Sequence, residues 1–327
     1  MGVYHLSGLG LSPGAVTMPL TAVYILQAAA QLGHEKAKMF FAHSGETEKK
    51  GSYEKIKGFP EALIVFTSEE AIEGRKRLRY RSNWFGMRGG GGEKVHKPIT
   101  KYVRRLLSYI NDTFSLGFKP PKYFYLVKVN HQSFEDAFYK IGVTIEGMRD
   151  KEVWLNLIGG TNQINLALLL AGAYTAVSLR YYYIFQTEDT LEPSWIDKPR
   201  DKATLFKAAD EILQRWYFLP PINIGIGFIL RELYLYFHHT NTNSRGFISK
   251  SKVLKILKQR GYDSQFIPKL IEFGYIVSVN ESAFKKGPML DRTVEMFFKI
   301  EKQRIRNTAD WKRWAESEGI LEVASFD

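Results

Sequence analysis

Two short glycine-bearing turns constrain this chain more than any other feature. The first, Gly8-Leu9-Gly10-Leu11-Ser12-Pro13-Gly14, follows the apolar stretch Val3-Tyr4-His5-Leu6 and leads into a small, apolar helical run from Val16 to Leu32. The second, Ile158-Gly159-Gly160-Thr161-Asn162-Gln163, ends a stretch beginning at Val153 and leads into the apolar run Ile164 to Leu179. A glycine turn between a strand and a helix lets the backbone approach a ligand closely, and it aims the free N–H groups of the helix start at an anion, usually a phosphate. Two such turns in one domain pose the question of which phosphate-bearing ligand sits between them.

The first half of the chain alternates strand and helix. Strands are expected at Val3–Leu6, Ala37–Ala42, Ala62–Phe66, Phe124–Val129, Val153–Ile158 and Tyr181–Phe185, with a polar loop from His43 to Lys50. Thr67-Ser68-Glu69-Glu70 resembles a capping box, and helices follow at Ile99–Thr113 and Phe134–Met148. This alternation predicts an α/β, Rossmann-like, mainly parallel sheet with helices on both faces, in which ligands bind past the carboxyl ends of the strands. Thr187 to Lys202 is polar and rich in Pro and Asp and reads as a linker. Beyond it the pattern predicts helices at Ala203–Trp216, Ile226–His238, Ser249–Gly261 and Asp263–Gly274. Strands Tyr275–Val279 and Thr293–Phe298 then flank a loop bearing Lys285-Lys286. Three helices and a β-hairpin make a winged helix-turn-helix. The expected division is residues 1–188 for the ligand-binding domain, 189–202 for the linker and 203–327 for the winged helix.

Charge is concentrated. The chain of 327 residues has a net charge of +12. From Arg75 to Arg105 there are eleven basic residues and one acidic, Glu93. Such focusing attracts a polyanion. Gly89-Gly90-Gly91-Gly92 interrupts this stretch and reads as a mobile loop or lid, beside which Trp84 and Phe85 either stack on a base or anchor the loop to the core. There are no cysteines, which excludes disulfides and thiolate metal sites, and no spacing of His and acidic residues points to a metal or cofactor. With no secretory signal, and with Leu166–Leu179 too short to span a bilayer, the chain reads as a cytoplasmic protein without membrane partners.

Each motif has a plainer alternative. The first turn departs from the dinucleotide fingerprint, and its Ser12, Pro13 and Gly14 serve equally as a ribose or phosphate contact or as a helix cap with Pro at the first position. The second turn lacks the lysine of a P-loop. Arg104-Arg105 could grip phosphate bidentately or belong to a solvated basic face. Arg231 and His238 have the spacing of an RNase pair, on what otherwise reads as an ordinary amphipathic helix. The candidate recognition helix carries only Lys269, offset by Asp263 and Glu272, so DNA binding by the winged helix is possible but weak.

Four landmarks in order resemble the CRISPR-associated Rossmann fold (CARF) domain: the Gly8–Gly14 turn, Val65-Phe66-Thr67-Ser68-Glu69, Val129-Asn130-His131-Gln132-Ser133-Phe134-Glu135-Asp136-Ala137, and Ile158-Gly159-Gly160-Thr161-Asn162. With a winged helix after it, the chain resembles archaeal CARF–winged-helix proteins and, among them, the ring nucleases of type III CRISPR systems. The resemblance implies a homodimer that binds a cyclic oligoadenylate, usually the tetramer, and cuts it without metal into linear di-adenylates ending in a 2′,3′-cyclic phosphate, switching off antiviral signalling. It implies Ser12, Arg104 and Arg105 as catalytic residues. Gly10, Leu11, Pro13, Gly14, Thr67, Ser68, Asn130, Gln132, Gly159, Gly160, Thr161, Asn162 and Gln163 would line the ligand. Many CARF domains carry a lysine after the second-turn Gly-Gly-Thr. Here Asn162 and Gln163 can hydrogen-bond phosphate or adenine but supply no charge. That leaves slow cleavage, cleavage resting on the arginines, or none. The alternatives are a messenger-sensing DNA-binding regulator without cleavage and a messenger-activated RNase using Arg231 and His238.

Overall fold

The run Ala62-Leu63-Ile64-Val65-Phe66 is apolar at every position, the signature of a strand covered on both faces, and it lies in β2 (Pro60–Thr67). A computed structural model describes residues 2–42, 58–175, 179–184, 189–219, 226–239, 246–259 and 261–326. The expected loop His43–Lys50, part of the Ile164–Leu179 helix and Phe185 lie outside these residues. The structure divides into two units, Met1–Pro221 with Ile305–Asp327, and Ile222–Arg304.

In the first unit β1 (Val3–Gly8) is central, parallel to β2 on one side and to β4 (Glu152–Asn156) on the other. Outside these lie β3 (Tyr123–Lys128), parallel to β2, and β5 (Leu179–Ile184), parallel to β4. Antiparallel edge strands β6 (Trp216–Leu219) and β10 (Leu321–Ala324) complete the seven-stranded order β10-β3-β2-β1-β4-β5-β6. On one face α1 (Gly14–Gln31) packs with α2 (Glu35–Ala42), α4 (His96–Phe114) and α7 (Lys202–Arg215). On the other, α5 (Phe134–Gly147) packs with α6 (Asn162–Thr175) and α12 (Thr308–Ser317). α1 is buried from Gly14 to Ala30, as its lack of any charged residue requires. No single helix among the described residues is long and apolar enough to cross a membrane.

Four expectations that concern the first unit are corrected. Ala37–Ala42 is helical, within α2, where Ala37 and Phe41 one turn apart are its buried face. The glycine run is not a loose loop: it is one strand of an irregular antiparallel ribbon between α3 (Glu69–Glu73) and α4, bridged at Arg77/Gly92 and Arg81/Arg88. The described part of the expected linker packs onto the first unit, with Leu191, Glu192 and Ile196 buried. Arg81 N–H donates to the Asp189 carbonyl (3.0 Å), Leu191 N–H to the Arg81 carbonyl (2.9 Å), and Glu192 Oε1 accepts from the N–H groups of Asn83 (2.6 Å) and Trp84 (3.3 Å). The boundary accordingly moves from 203 to Ile222, and the chain returns to the first unit at Ile305, where the indole N–H of buried Trp311 donates to Thr144 Oγ1 at 3.0 Å.

The second unit runs α8 (Ile226–His239), β7 (Phe247–Ser249), α9 (Lys250–Lys258), α10 (Phe266–Glu272), β8 (Ile276–Asn280), β9 (Ala283–Lys286) and α11 (Pro288–Lys302). Its antiparallel sheet has the order β7-β9-β8. Ile229, Leu233, Ile248, Val253, Leu257 and Leu270 form its core. The expected strand Thr293–Phe298 lies inside α11, because Leu290 and Val294, four residues apart, share a buried face after Pro288 at the helix start. Lys285 and Lys286, expected in a loop, belong to β9.

Candidate functional site at the two glycine turns

In the order 3-2-1-4-5 the chain winds away from β1 in one direction and from β4 in the other. A crevice therefore opens past the carboxyl ends of these two adjacent strands. The glycine turns follow β1 and β4, so both meet there. A Cβ at Gly8 would lie 2.8 Å from the Gly159 carbonyl oxygen, and one at Gly160, whose φ is +94°, 3.0 Å from Gly8 Cα. These glycines let one turn's backbone press against the other's. Gly10 differs: a Cβ there would meet nothing within 4 Å among the described residues, so its surroundings are open to a ligand.

Neighbouring polar groups hold the turns in place. Leu9 N–H donates to the Phe66 carbonyl and the Leu9 carbonyl accepts from Thr67 Oγ1, both at 2.9 Å. Asn156 Nδ2 donates to Ser7 Oγ and to the Ala15 carbonyl, both at 2.8 Å, while its Oδ1 accepts from Ile158 N–H at 3.0 Å. This buried amide thus ties β1, the start of α1 and the second turn together. Its visible sign was a polar residue in the apolar run Val153–Ile158. Thr161 Oγ1 accepts from Ile164 N–H (3.4 Å) at the start of α6 and donates to the His131 carbonyl (3.5 Å), bringing the loop after β3 to the second turn.

Two polar atoms here are buried without a hydrogen-bond partner among the described residues, Ser12 Oγ and Asn165 Oδ1. The helix-cap reading of Ser12 does not hold, since α1 has no side-chain cap. A buried hydroxyl without a partner is costly unless something else completes it. α1 and α6 both begin at the crevice with no acidic residue in their first turns, so their positive dipole ends face it uncompensated by carboxylates there.

The remaining expected ligand residues divide by exposure. Leu11, Asn130, Gln132 and Asn162 are exposed, Gln163 is half-buried, and Pro13 and Gly14 are buried. The Ser68 hydroxyl bonds the Glu70 carboxylate and helps hold its pKa down. Asn130 Oδ1 accepts from Gln132 N–H at 3.0 Å, closing its loop. Arg104 and Arg105 make their contacts elsewhere: Arg104 Nε donates to the Phe326 carbonyl (2.5 Å) and Arg105 Nη1 to the Phe85 carbonyl (2.9 Å). Phe85 packs edge-on against Tyr102 and Tyr109, so of the two readings of Trp84-Phe85 the anchor describes it. In the second unit Arg231 pairs with Glu301 (3.2 Å), and His238 pairs with Asp291 (3.0 Å) while stacking on Tyr234.

No family model matches the chain. It is 50% identical over 324 residues to an uncharacterized protein of Archaeoglobus fulgidus, a match covering 99% of this chain and 98% of that one. The chain belongs to that protein's family. Among solved structures it is similar to Enterococcus italicus Csm6 bound to cyclic hexa-2′-fluoro-hexa-dAMP, at 12% identity with a TM-score of 0.35 over 83% of this chain. The chain spans about half of that protein's length, 53%. A likeness of that size carries no argument about the site. The reading of this family member rests on its own crevice: an open glycine, two converging helix starts and a buried hydroxyl awaiting a partner.

Proposed function

We propose that the first unit is a CARF-type domain binding a cyclic oligoadenylate, most simply the tetramer, across a homodimer, and that the protein is a ring nuclease. The observation carrying this reading is the buried, unpartnered Ser12 hydroxyl beside Gly10 at the switch point. A ribose 2′-hydroxyl hydrogen-bonded to Ser12 Oγ is held for in-line attack on its own 3′-phosphorus. The 2′-oxygen–phosphorus bond forms and the bond to the 5′-oxygen breaks. The proton leaves the 2′-oxygen, another is taken up by the departing 5′-oxygen, and a 2′,3′-cyclic phosphate remains. Two such cuts convert the tetramer into two di-adenylates. Orientation of the nucleophile and positive helix ends on the phosphate supply the rate, so the step calls for neither metal nor cofactor.

Incubation with cyclic tetra-adenylate in excess EDTA tests this. Linear di-adenylate is expected, with the rate reduced roughly 10²-fold in Ser12→Ala. Intact ligand that co-elutes with the protein would leave binding and overturn the enzyme. A second reading, a ligand-gated DNA-binding regulator, would draw on the second unit. Its helix–strand–helix–helix–strand–strand order and its β7-β9-β8 sheet fit a winged helix. Retardation of the protein's own promoter DNA that changes on adding uncleaved messenger would establish it.

A further inference from the structure

The segment Arg77-Leu78-Arg79-Tyr80-Arg81-Ser82 alternates strictly: the arginines are exposed, Leu78 and Ser82 are buried and Tyr80 is half-buried. In an extended strand this period of two puts all three guanidinium groups on one face. The opposite strand of the ribbon keeps register with it. Arg77 lies opposite Gly92 and Arg81 opposite Arg88, while Leu78 N–H donates to the Gly91 carbonyl (3.3 Å), Gly89 N–H to the Tyr80 carbonyl (2.9 Å) and Ser82 N–H to the Met87 carbonyl (2.8 Å). That register places Gly90 opposite Arg79. The glycines then have two uses. Gly89 admits the Tyr80 ring, which a Cβ would strike, on the far face. Gly90 carries no side chain beside Arg79, where among the described residues a Cβ would meet only the Arg77 guanidinium at 3.4 Å, so the arginine face stays open there. Gly92 lets the ribbon pack against the Gly74 carbonyl, which a Cβ would approach to 2.7 Å.

That face, together with Leu78, Tyr80, Gly89 and Gly90, lines a cavity of about 600 Å³ whose one acid among the described residues is Asp189. Three like charges held together gain from an anion that several can grip at once, and guanidinium suits phosphate. The ribbon is also fixed to the first glycine turn, since Arg79 N–H donates to the carbonyl of exposed Leu11 at 2.9 Å.

Resting on the reading of the glycine turns as a phosphodiester site, we propose that the Arg77–Arg79–Arg81 face is its phosphate-gripping wall. A ligand seated at Gly10 and Ser12 extends past Leu11 onto this ribbon, and its backbone phosphates are held there.

Fluorescence anisotropy with labelled cyclic tetra-adenylate and, separately, linear tetra-adenylate over a salt series tests this on the full chain. The double variant Arg77→Ala/Arg79→Ala changes exposed side chains and keeps the buried Leu78. It is expected to bind the cyclic ligand at least tenfold more weakly with a shallower salt dependence, and Arg77→Lys/Arg79→Lys to recover part of the loss. Equal binding by wild type and the alanine variant would overturn the ribbon and leave the glycine-turn reading standing. A wild type that ignores the cyclic ligand but binds the linear one through Arg77 and Arg79 would uphold the ribbon and overturn the cyclic-messenger reading. Binding of neither by wild type would overturn both.

Discussion

Among the described residues, a methyl group added at Gly10 would meet nothing within 4 Å, whereas one added at Gly159 would strike the Ala15 side chain and lie 2.5 Å from the Gly8 carbonyl oxygen. The two substitutions therefore separate binding from folding. Gly10→Val is expected to unfold within about 0.5 kcal/mol of wild type yet lose cyclic tetra-adenylate binding. Gly159→Ala is expected to cost roughly 1–3 kcal/mol through overpacking. Urea titration and ligand anisotropy on both proteins check the pair, and a Gly10→Val protein that binds normally would remove the ligand from this turn. His5 is a second residue whose surroundings decide its chemistry. It is buried in β1 against Trp154, its Nδ1 lies 3.4 Å from Tyr182 Oη, and burial lowers its pKa to about 3. The unfolded chain, with an ordinary value near 6.5, takes up the proton first. The stabilising contribution is therefore complete above about pH 6.5 and is lost as pH falls towards 3, at about 1.4 kcal/mol per pH unit. His5→Phe should show a correspondingly smaller loss between pH 6 and 4.5 in urea titrations. Parallel curves would show that His5 does not titrate this way.

Among the elements, those whose period matches their burial were legible from the residues alone. β1, β2, β3 and β4 are apolar runs bounded by turn residues, and the structure moves their ends by only a residue or two, lengthening β1 and β2 and ending β3 and β4 earlier than expected. α2 and α11 were misread as strands because Met39-Phe40-Phe41 and Met296-Phe297-Phe298 are short aromatic runs, compatible with either period until a partner surface is present. The arginine ribbon was legible as charge but not as shape. Four consecutive glycines have no intrinsic preference, and only the register with residues 77–82 gives them one. Glu192 anchors this ribbon through two main-chain N–H groups, so Glu192→Ala, which leaves both unsatisfied, is expected to cost roughly 2–4 kcal/mol. Glu192→Gln, which keeps the acceptor, should cost less than half of that in the same urea titration. An equal loss would place the effect in the charge rather than in these two hydrogen bonds.

For the whole molecule, the C-terminal segment belongs to the first unit although the second unit precedes it in the chain. β10 covers the β3 edge of the sheet, and α12 buries Trp311 and Trp314. A chain ending at Arg304 is therefore expected to expose that edge and lose cooperative unfolding. A chain in which a flexible linker replaces residues 222–304 should retain it. Circular dichroism melts of the two proteins check this, and a cooperative melt of the first would place residues 305–327 outside the first unit.

By itself the sequence determined the winding of strand and helix, the two turns, Ser12 beside them and the concentration of charge. Each of these is local, set by hydrophobic period, glycine's freedom and formal charge. Tertiary structure alone decided which glycines serve packing and which leaves room, and that the Ser12 hydroxyl caps nothing. It also decided that Arg104 and Arg105 spend their hydrogen bonds on Phe326 and Phe85, and that Arg77, Arg79 and Arg81 line one open face. These outcomes depend on contacts between segments far apart in the chain, and no local preference encodes which distant carbonyl or ring will be there to meet them.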